Sequence, residues 1–191
     1  MNRLICGIDE AGRGPLAGPV TAAAVILDEN CPIDGLNDSK KLTPKKRAAL
    51  EALIKEQALA YGVAEASHVE IDEINVLNAS LLAMQRAFEK MCAMLEKKGF
   101  SRADVSAIVD GTFCPKIDAE CRAEPKADGN YQPVMAASIL AKEDRDRRMC
   151  EFDKLYPEYG YAKHKGYPTK AHREICKKIG PSPIQRKTFS Y

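Results

Sequence analysis

Two short apolar runs in this sequence end on an acid, and that pattern constrains the fold more than any other feature. Residues 4–8 lead into Asp9-Glu10, and residues 105–109 lead into Asp110-Gly111. Apolar runs this short, stopped by charge or glycine, read as buried strands rather than helices. A further run over residues 20–27 follows the first across a stretch rich in glycine and proline, residues 12–19. Residues 59–66 and 119–123 are additional strand candidates. Helical signals lie between them. Thr43-Pro44 reads as an N-cap with proline at the first helical position, and Leu50, Leu53 and Ile54 place an apolar stripe on the helix that follows. Leu77, Leu81, Met84, Phe88, Met91 and Leu95 recur at helical spacing and predict a helix over residues 76–97, ended by Gly99. Helices are also predicted over residues 134–155 and 170–178. Strands mixed with helices from the start imply an α/β sheet covered by helices. No internal repeat or linker divides the 191 residues, so the chain reads as one domain.

Composition narrows the function classes. No apolar run approaches the length of a membrane span, and the N-terminus meets acids too early for a secretory leader. The seven cysteines are odd in number and form no C-x-x-C pair. They read as reduced thiols of the cell interior, mostly small buried hydrophobes, with a cytoplasmic setting. His68, His164 and His172 share no zinc-ligand spacing with them. Residues 140–191 hold 13 lysines and arginines against seven acids, whereas residues 1–139 hold 16 against 20. A basic C-terminal quarter suits a polyanion partner, although a solvated basic face would look the same.

Strand ends in α/β sheets are where ligands bind, because side chains there project into the crevice beyond the sheet. Asp9 and Asp110 both stand at such ends. Adjacent strand residues face opposite ways, so Asp9 and Glu10 share a site only if the strand ends or bulges between them. Either acid alone reads equally as a return to solvent. Three or more converging carboxylates would make a hard-oxygen site for Mg²⁺ or Mn²⁺. The glycines after Glu10 fit neither a nucleotide phosphate loop, since Arg13-Gly14 replace its lysine and hydroxyl residue, nor a dinucleotide fingerprint. What remains is either a plain tight turn or a flexible backbone around one arginine, able to approach a sugar–phosphate chain.

The run Asp9-Glu10-Ala11-Gly12-Arg13-Gly14-Pro15-Leu16-Ala17-Gly18-Pro19-Val20 resembles the opening motif of the ribonuclease HII family. The likeness continues in Asp38-Ser39-Lys40-Lys41-Leu42, Ile74-Asn75-Val76-Leu77-Asn78-Ala79 and Val109-Asp110-Gly111. It then extends through Lys126-Ala127-Asp128, Ala136-Ala137-Ser138-Ile139-Leu140-Ala141-Lys142, Arg145-Asp146-Arg147 and Lys163-His164-Lys165-Gly166-Tyr167-Pro168-Thr169. These blocks run in the family's order over nearly the whole chain.

The resemblance implies a ribonuclease H-like fold over residues 1–191: a five-stranded mixed sheet flanked by helices. About residues 150–191 would form a basic helical extension completing the substrate groove. It implies Asp9, Glu10, Asp110 and Asp128 as acidic ligands of two Mg²⁺ or Mn²⁺ ions, and cleavage 5′ to a ribonucleotide. Read bare, Asp128-Gly129 is a turn. Gly12, Arg13 and Gly14 would read the 2′ hydroxyl that separates RNA from DNA, with Tyr167 against the next sugar. Ser39, Lys40, Ser138, Lys142 and Lys165 are candidate substrate contacts, Ser138 and Lys142 lying four apart on one helix face. The partner would be nucleic acid, met by a monomer. No C-terminal clamp-binding peptide is visible. Two departures stand out: Ala127 where many relatives carry glycine, and Gln185 and Thr188 near the C-terminus. The rivals are the sister ribonuclease class without the Gly-Arg-Gly block, a non-catalytic nucleic-acid-binding module, and a nucleotide-binding switch.

Overall fold

The computed structural model describes residues 3–190. In chain order it contains β1 (Leu4–Ala11), β2 (Val20–Ile26), α1 (Pro44–Gln57), β3 (Ala60–Ala66), α2 (His68–Lys97), β4 (Val105–Asp110), β5 (Glu120–Glu124), α3 (Gln132–Leu155), α4 (Tyr161–His164) and α5 (Lys170–Ile179). Short 3-10 turns at Ser39–Lys41 and Ala127–Gly129 lie in the connections. The expected five-stranded mixed sheet is present, in the order β3-β2-β1-β4-β5. The first three strands pair antiparallel, whereas β1–β4 and β4–β5 pair parallel. A parallel pair cannot be joined by a hairpin, and the long excursion through α1, β3 and α2 supplies the crossover between β1 and β4.

The sheet is covered on both faces. β2 is buried at every position, and its alternate residues enter different cores, as the period of two requires. Ala22, Ala24 and Ile26 pack with Phe88, Met91 and Leu95 of α2. Ala23 and Val25 pack with Leu50 and Ile54 of α1 and with Ile139 and Leu140 of α3. Small residues let α3 ride close to the sheet. A Cβ on Gly7 would lie 2.1 Å from the carbonyl carbon of Pro133, so the first turn of α3 rests on β1 only because position 7 has no side chain.

Helix boundaries differ from the sequence reading in one instructive place. α2 begins at His68, eight residues before the predicted start at residue 76. Ser67 and Glu70 form a reciprocal capping box, with the Glu70 amide donating to the Ser67 hydroxyl and the Ser67 amide to the Glu70 carboxylate. The helix is kinked at Asn75, whose φ of 65° is left-handed. The Asn75 side chain accepts from the Leu77 and Asn78 amides and so caps the longer second part. The Thr43 cap of α1 is present as expected, its hydroxyl accepting from the Lys46 amide at 3.3 Å. The cysteines require a correction. Cys6, Cys92 and Cys176 are buried, but Cys31 and Cys114 are exposed and Cys121 and Cys150 lie between. All seven are free thiols.

The C-terminal segment returns to the start of the chain. Residues 12–19 are held between the turn at Gly166 and the strand-like stretch near Gln185. Leu16 N–H donates to Gly166 O at 2.8 Å, Arg186 N–H to Leu16 O at 2.9 Å and Gly18 N–H to Ile184 O at 3.0 Å. Of the two C-terminal departures, Gln185 is buried and pairs its backbone with Ala17. Thr188 docks on α2, its amide and hydroxyl donating to the Asp72 carboxylate at 3.0 and 2.8 Å. Among the described residues no helix is long and apolar enough to cross a membrane.

Candidate active site

Asp9 and Asp110 meet because β1 and β4 are parallel neighbours in register, with Ile8 opposite Val109. Matching positions on neighbouring parallel strands present side chains on the same face, about 4.8 Å apart. Asp128 joins them from the Ala127–Gly129 turn. Its approach is fixed by the Ala127 amide, which donates to the Asp110 carboxylate at 2.9 Å. Carboxylate oxygens of Asp9, Asp110 and Asp128 all lie within 4.8 Å of one another. Glu10 is not part of that set. β1 pairs with β2 without a break through Ala11, so the pleat carries Glu10 away from Asp9. Its carboxylate instead stands 3.5 Å from Arg13 Nη1, and its second oxygen is buried without a partner.

Burial raises the carboxyls of Asp9, Glu10 and Asp128. Burial raises the Asp9 carboxyl well above the usual carboxylate range, with the charges of Glu10 and Asp110 adding to it and the nearby Ser138 hydroxyl opposing. Burial also raises Glu10 against the pull of Arg13, and raises Asp128 with Asp110 adding to the effect. Buried carboxylates pressed together hold protons unless a cation compensates them. A hard oxygen donor set of this kind suits Mg²⁺ or Mn²⁺.

Beside the acids lies a cavity of about 560 Å³ lined by Asp38, Lys40, Lys41, Asp110, Lys126 and Asp128, among others. Burial alone would lower the Lys40 ammonium, but Asp9, Asp38, Asp128 and Asp110 together raise it. Lys40 is therefore a cation placed between the acid cluster and solvent.

The glycine block has a different logic at each glycine. Gly12 has φ 103°, and a Cβ there would fall 2.0 Å from Arg145 Nε. Its lack of a side chain is demanded by the protein's own packing. Gly14 has ordinary φ, and a Cβ there would meet only Tyr167 Cε1, at 3.8 Å. Nothing in the protein requires glycine at 14, which leaves its open face available to a ligand. Arg13 and Tyr167 are both exposed, so residues 12–14 and Tyr167 form two walls of one surface site.

Several expected substrate contacts are placed otherwise. Ser39 and Ser138 are 4% and 3% exposed, and their hydroxyls hydrogen-bond each other at 2.9 Å. Ser138 also hydrogen-bonds Asp9, so both hydroxyls are engaged inside the protein and neither stands as an exposed substrate contact. Lys142 is paired with Asp146 at 2.7 Å, and Lys165 Nζ lies 2.9 Å from Cys150 Sγ. Neither presents a free ammonium to the cavity. Lys41 and Lys126 do line it, and were not singled out. The sequence reading also missed the role of two arginines. Arg145 and Arg186 are 1% and 0% exposed and bind carbonyls of residues 12–19. Arginine is rarely buried without an acid, so sequence alone offers no signal for it.

Comparison with known proteins agrees with this geometry. A model of the family described as Ribonuclease HII matches residues 6–190. A ribonuclease HII of Dechloromonas aromatica is 54% identical over 97% of this chain and 90% of its own length. The crystal structure of the ribonuclease H2 from Pyrococcus horikoshii superposes with a TM-score of 0.72 at 31% identity, covering 97% of this chain and 93% of that one. A ribonuclease HII of Archaeoglobus fulgidus, captured in complex with PCNA, superposes with a TM-score of 0.74 at 25% identity, over 98% and 96% of the two chains. Fold, acid cluster and full-length sequence similarity agree: the chain belongs to the ribonuclease HII family.

Proposed function

We propose that this chain nicks duplex DNA on the 5′ side of a single embedded ribonucleotide, as well as cutting the RNA strand of RNA/DNA hybrids, leaving a 5′ phosphate and a 3′ hydroxyl. Membership of the family makes it a hydrolase of RNA in RNA/DNA hybrids; the selectivity for a lone ribonucleotide is the finer reading. The observation that carries it is the open Gly14 face beside Tyr167, on the loop that directly follows β1, the strand that brings Asp9 into the acid cluster. A ribose can be told from a deoxyribose only at its 2′ hydroxyl. The backbone of residues 12–14 can approach that hydroxyl closely, and the Tyr167 ring tolerates a deoxyribose beside it.

Asp9, Asp110 and Asp128 would hold the catalytic cations, and Glu10, one of whose carboxylate oxygens is buried without a partner, would be the fourth ligand. Two Mg²⁺ or Mn²⁺ ions would supply the Lewis acidity that activates a water and steadies the departing 3′ oxygen. Lys40, Lys41 and Lys126 face the phosphates of the strand being cut. Asp9 is steadied by the Ser138 hydroxyl, which in turn bonds the Ser39 hydroxyl. The setting is removal of ribonucleotides from DNA, by a monomer inside the cell acting in excision repair and primer processing.

The test is cleavage of a DNA duplex carrying one ribonucleotide, with Mg²⁺, Mn²⁺ and EDTA as parallel conditions. A metal-dependent nick 5′ to the ribonucleotide is expected. Digestion of a long hybrid with no nick at the single ribonucleotide would overturn the selectivity and favour the sister class.

A further inference from the structure

Arg145 and Arg186 bury two guanidinium groups side by side beneath the Gly12–Pro19 stretch, and among the described residues neither forms an ion pair. Their donors go to backbone oxygens. Arg186 donates to Gly12 O at 2.6 Å, Arg13 O at 2.9 Å, Gly18 O at 3.0 Å and Pro19 O at 3.2 Å. Arg145 donates to Pro19 O at 2.9 Å, Lys165 O at 3.0 Å and Ala17 O at 3.3 Å. A charge taken out of water without a counter-charge is costly to bury. An arrangement that keeps two of them close together needs a reason beyond packing.

Peptide planarity supplies one. In a trans peptide the N–H points opposite to the C=O. Because Arg186 draws the carbonyls of Gly12 and Arg13 inward, the amides of Arg13 and Gly14 must point outward. Neither amide donates to a protein acceptor among the described residues. Arg145 adds a second constraint. It binds Lys165 O on the far wall, and its guanidinium carbon lies 5.9 Å from the Tyr167 ring. The same side chain thus sets the gap between Gly14 and Tyr167.

We propose that Arg145 and Arg186 are positioning residues for ribonucleotide recognition: they turn the Arg13 and Gly14 amides toward the substrate and leave positive charge beneath the loop that a nucleic-acid phosphate completes. This rests on the reading of residues 12–14 and Tyr167 as the ribonucleotide site. The two guanidiniums act through the backbone and do not touch the substrate. The fork geometry matters as much as the charge, since a lysine ammonium in the same place cannot hold the Gly12, Arg13 and Gly18 carbonyls together.

The experiment compares wild type, Arg186→Lys and Arg145→Lys in cleavage of a single-ribonucleotide duplex and of a long RNA/DNA hybrid. It is run across a salt series, with Mn²⁺ affinity of the substrate-free protein measured alongside. Each variant is expected to raise KM for the single-ribonucleotide duplex about tenfold or more. The change in kcat should be smaller, Mn²⁺ affinity unchanged and the long hybrid less affected. A purely structural role would instead lower the melting temperature and the active fraction, with KM and substrate preference kept, and that result overturns the proposal. Should both variants fail to fold, wild-type backbone NMR decides. The Arg13 and Gly14 amides must shift on binding a ribonucleotide-containing duplex and not an all-DNA one, and equal shifts overturn it. Wild-type enzyme that never nicks at a single ribonucleotide removes both this proposal and the reading beneath it. Wild-type nicking with unaltered variants removes this proposal alone.

Discussion

The molecule gathers like charges in two neighbouring places and treats them in opposite ways. At the end of β1 and β4, three carboxylates converge with few donors to satisfy them: the Glu10 amide to Asp9 at 2.7 Å, the Ala127 amide to Asp110 at 2.9 Å and the Ser138 hydroxyl beside Asp9. Beneath residues 12–19, two guanidiniums converge and seven hydrogen bonds to carbonyls satisfy them. The acids adjoin an open cavity, whereas the arginines are closed off by Tyr167 on one side and Phe189 on the other. The acid cluster leaves its coordination to solution, whereas the arginine pair has its donors filled by the backbone and leaves only its net charge uncompensated. A cluster that keeps its charge unsatisfied at a cavity is built to take up cations. A cluster already satisfied by the backbone is built to hold that backbone still.

The largest expected effect breaks the acid side. Asp110→Asn removes a proposed metal ligand and should lower the cleavage rate by about 10²–10³-fold or more, while folding and duplex binding persist. Retained cleavage would take Asp110 out of the metal site. Next comes the contrast between the two glycines. Gly12→Ala forces a Cβ into Arg145 at left-handed φ and should destabilise the fold by about 1–3 kcal/mol in thermal or denaturant unfolding. Gly14→Ala has room, so unfolding should change by less than about 1 kcal/mol. Its KM for a single-ribonucleotide duplex should rise instead. Equal destabilisation by both would erase the distinction drawn between them.

A smaller effect concerns pH. Asp9, Glu10 and Asp128 are all raised, first by burial and then by their neighbours. Between the ordinary carboxylate range and those raised values, the folded chain keeps protons that the unfolded chain has lost. Stability contributed by these groups therefore falls as pH rises through that window. In EDTA, the melting temperature should be lower at about pH 7.5 than at about pH 5.5, and Asp110→Asn should flatten the slope. Glu70 works the other way. The Arg86 guanidinium and the Ser67 cap hold it down to about 2, so its contribution is present at neutral pH and lost only below the ordinary glutamate range. The smallest effect sharpens the arginine side. Asp72→Ala frees the Lys187 and Thr188 amides and should cost about 1 kcal/mol of stability. It should loosen Arg186, next along the chain, without altering Mn²⁺ affinity at the acids.

Much of this was legible in the chain because the relevant signals are local. The strands at β1, β2 and β4 follow from apolar runs, and the α1 cap follows from Thr43-Pro44. The capping box Ser67-x-x-Glu70 was equally local, but the apolar stripe beginning at Leu77 masked it. Asn75 is a different matter: its left-handed backbone breaks the helix between the cap and the stripe, and no periodicity announces such a kink. The site divides the same way. Asp9 and Asp110 sit at strand ends, where an acid is conspicuous. Asp128 lies in a turn and taken bare looks like any other Asp-Gly; the family likeness of Lys126-Ala127-Asp128 picks it out, and the Ala127 amide donating to Asp110 holds it beside the other two.

Local signals suffice for the periodic elements, the family likeness and the candidate acids, because each depends on residues adjacent along the chain. Which acids converge, the inward placing of Ser39 and Ser138, and the burial of two arginines under the glycine block come from the folded arrangement alone. Those facts depend on which strands pair in parallel and on how residues 180–190 return to the first loop. Contacts across such separations leave no local pattern, since burial of a charged side chain is set by whatever closes over it.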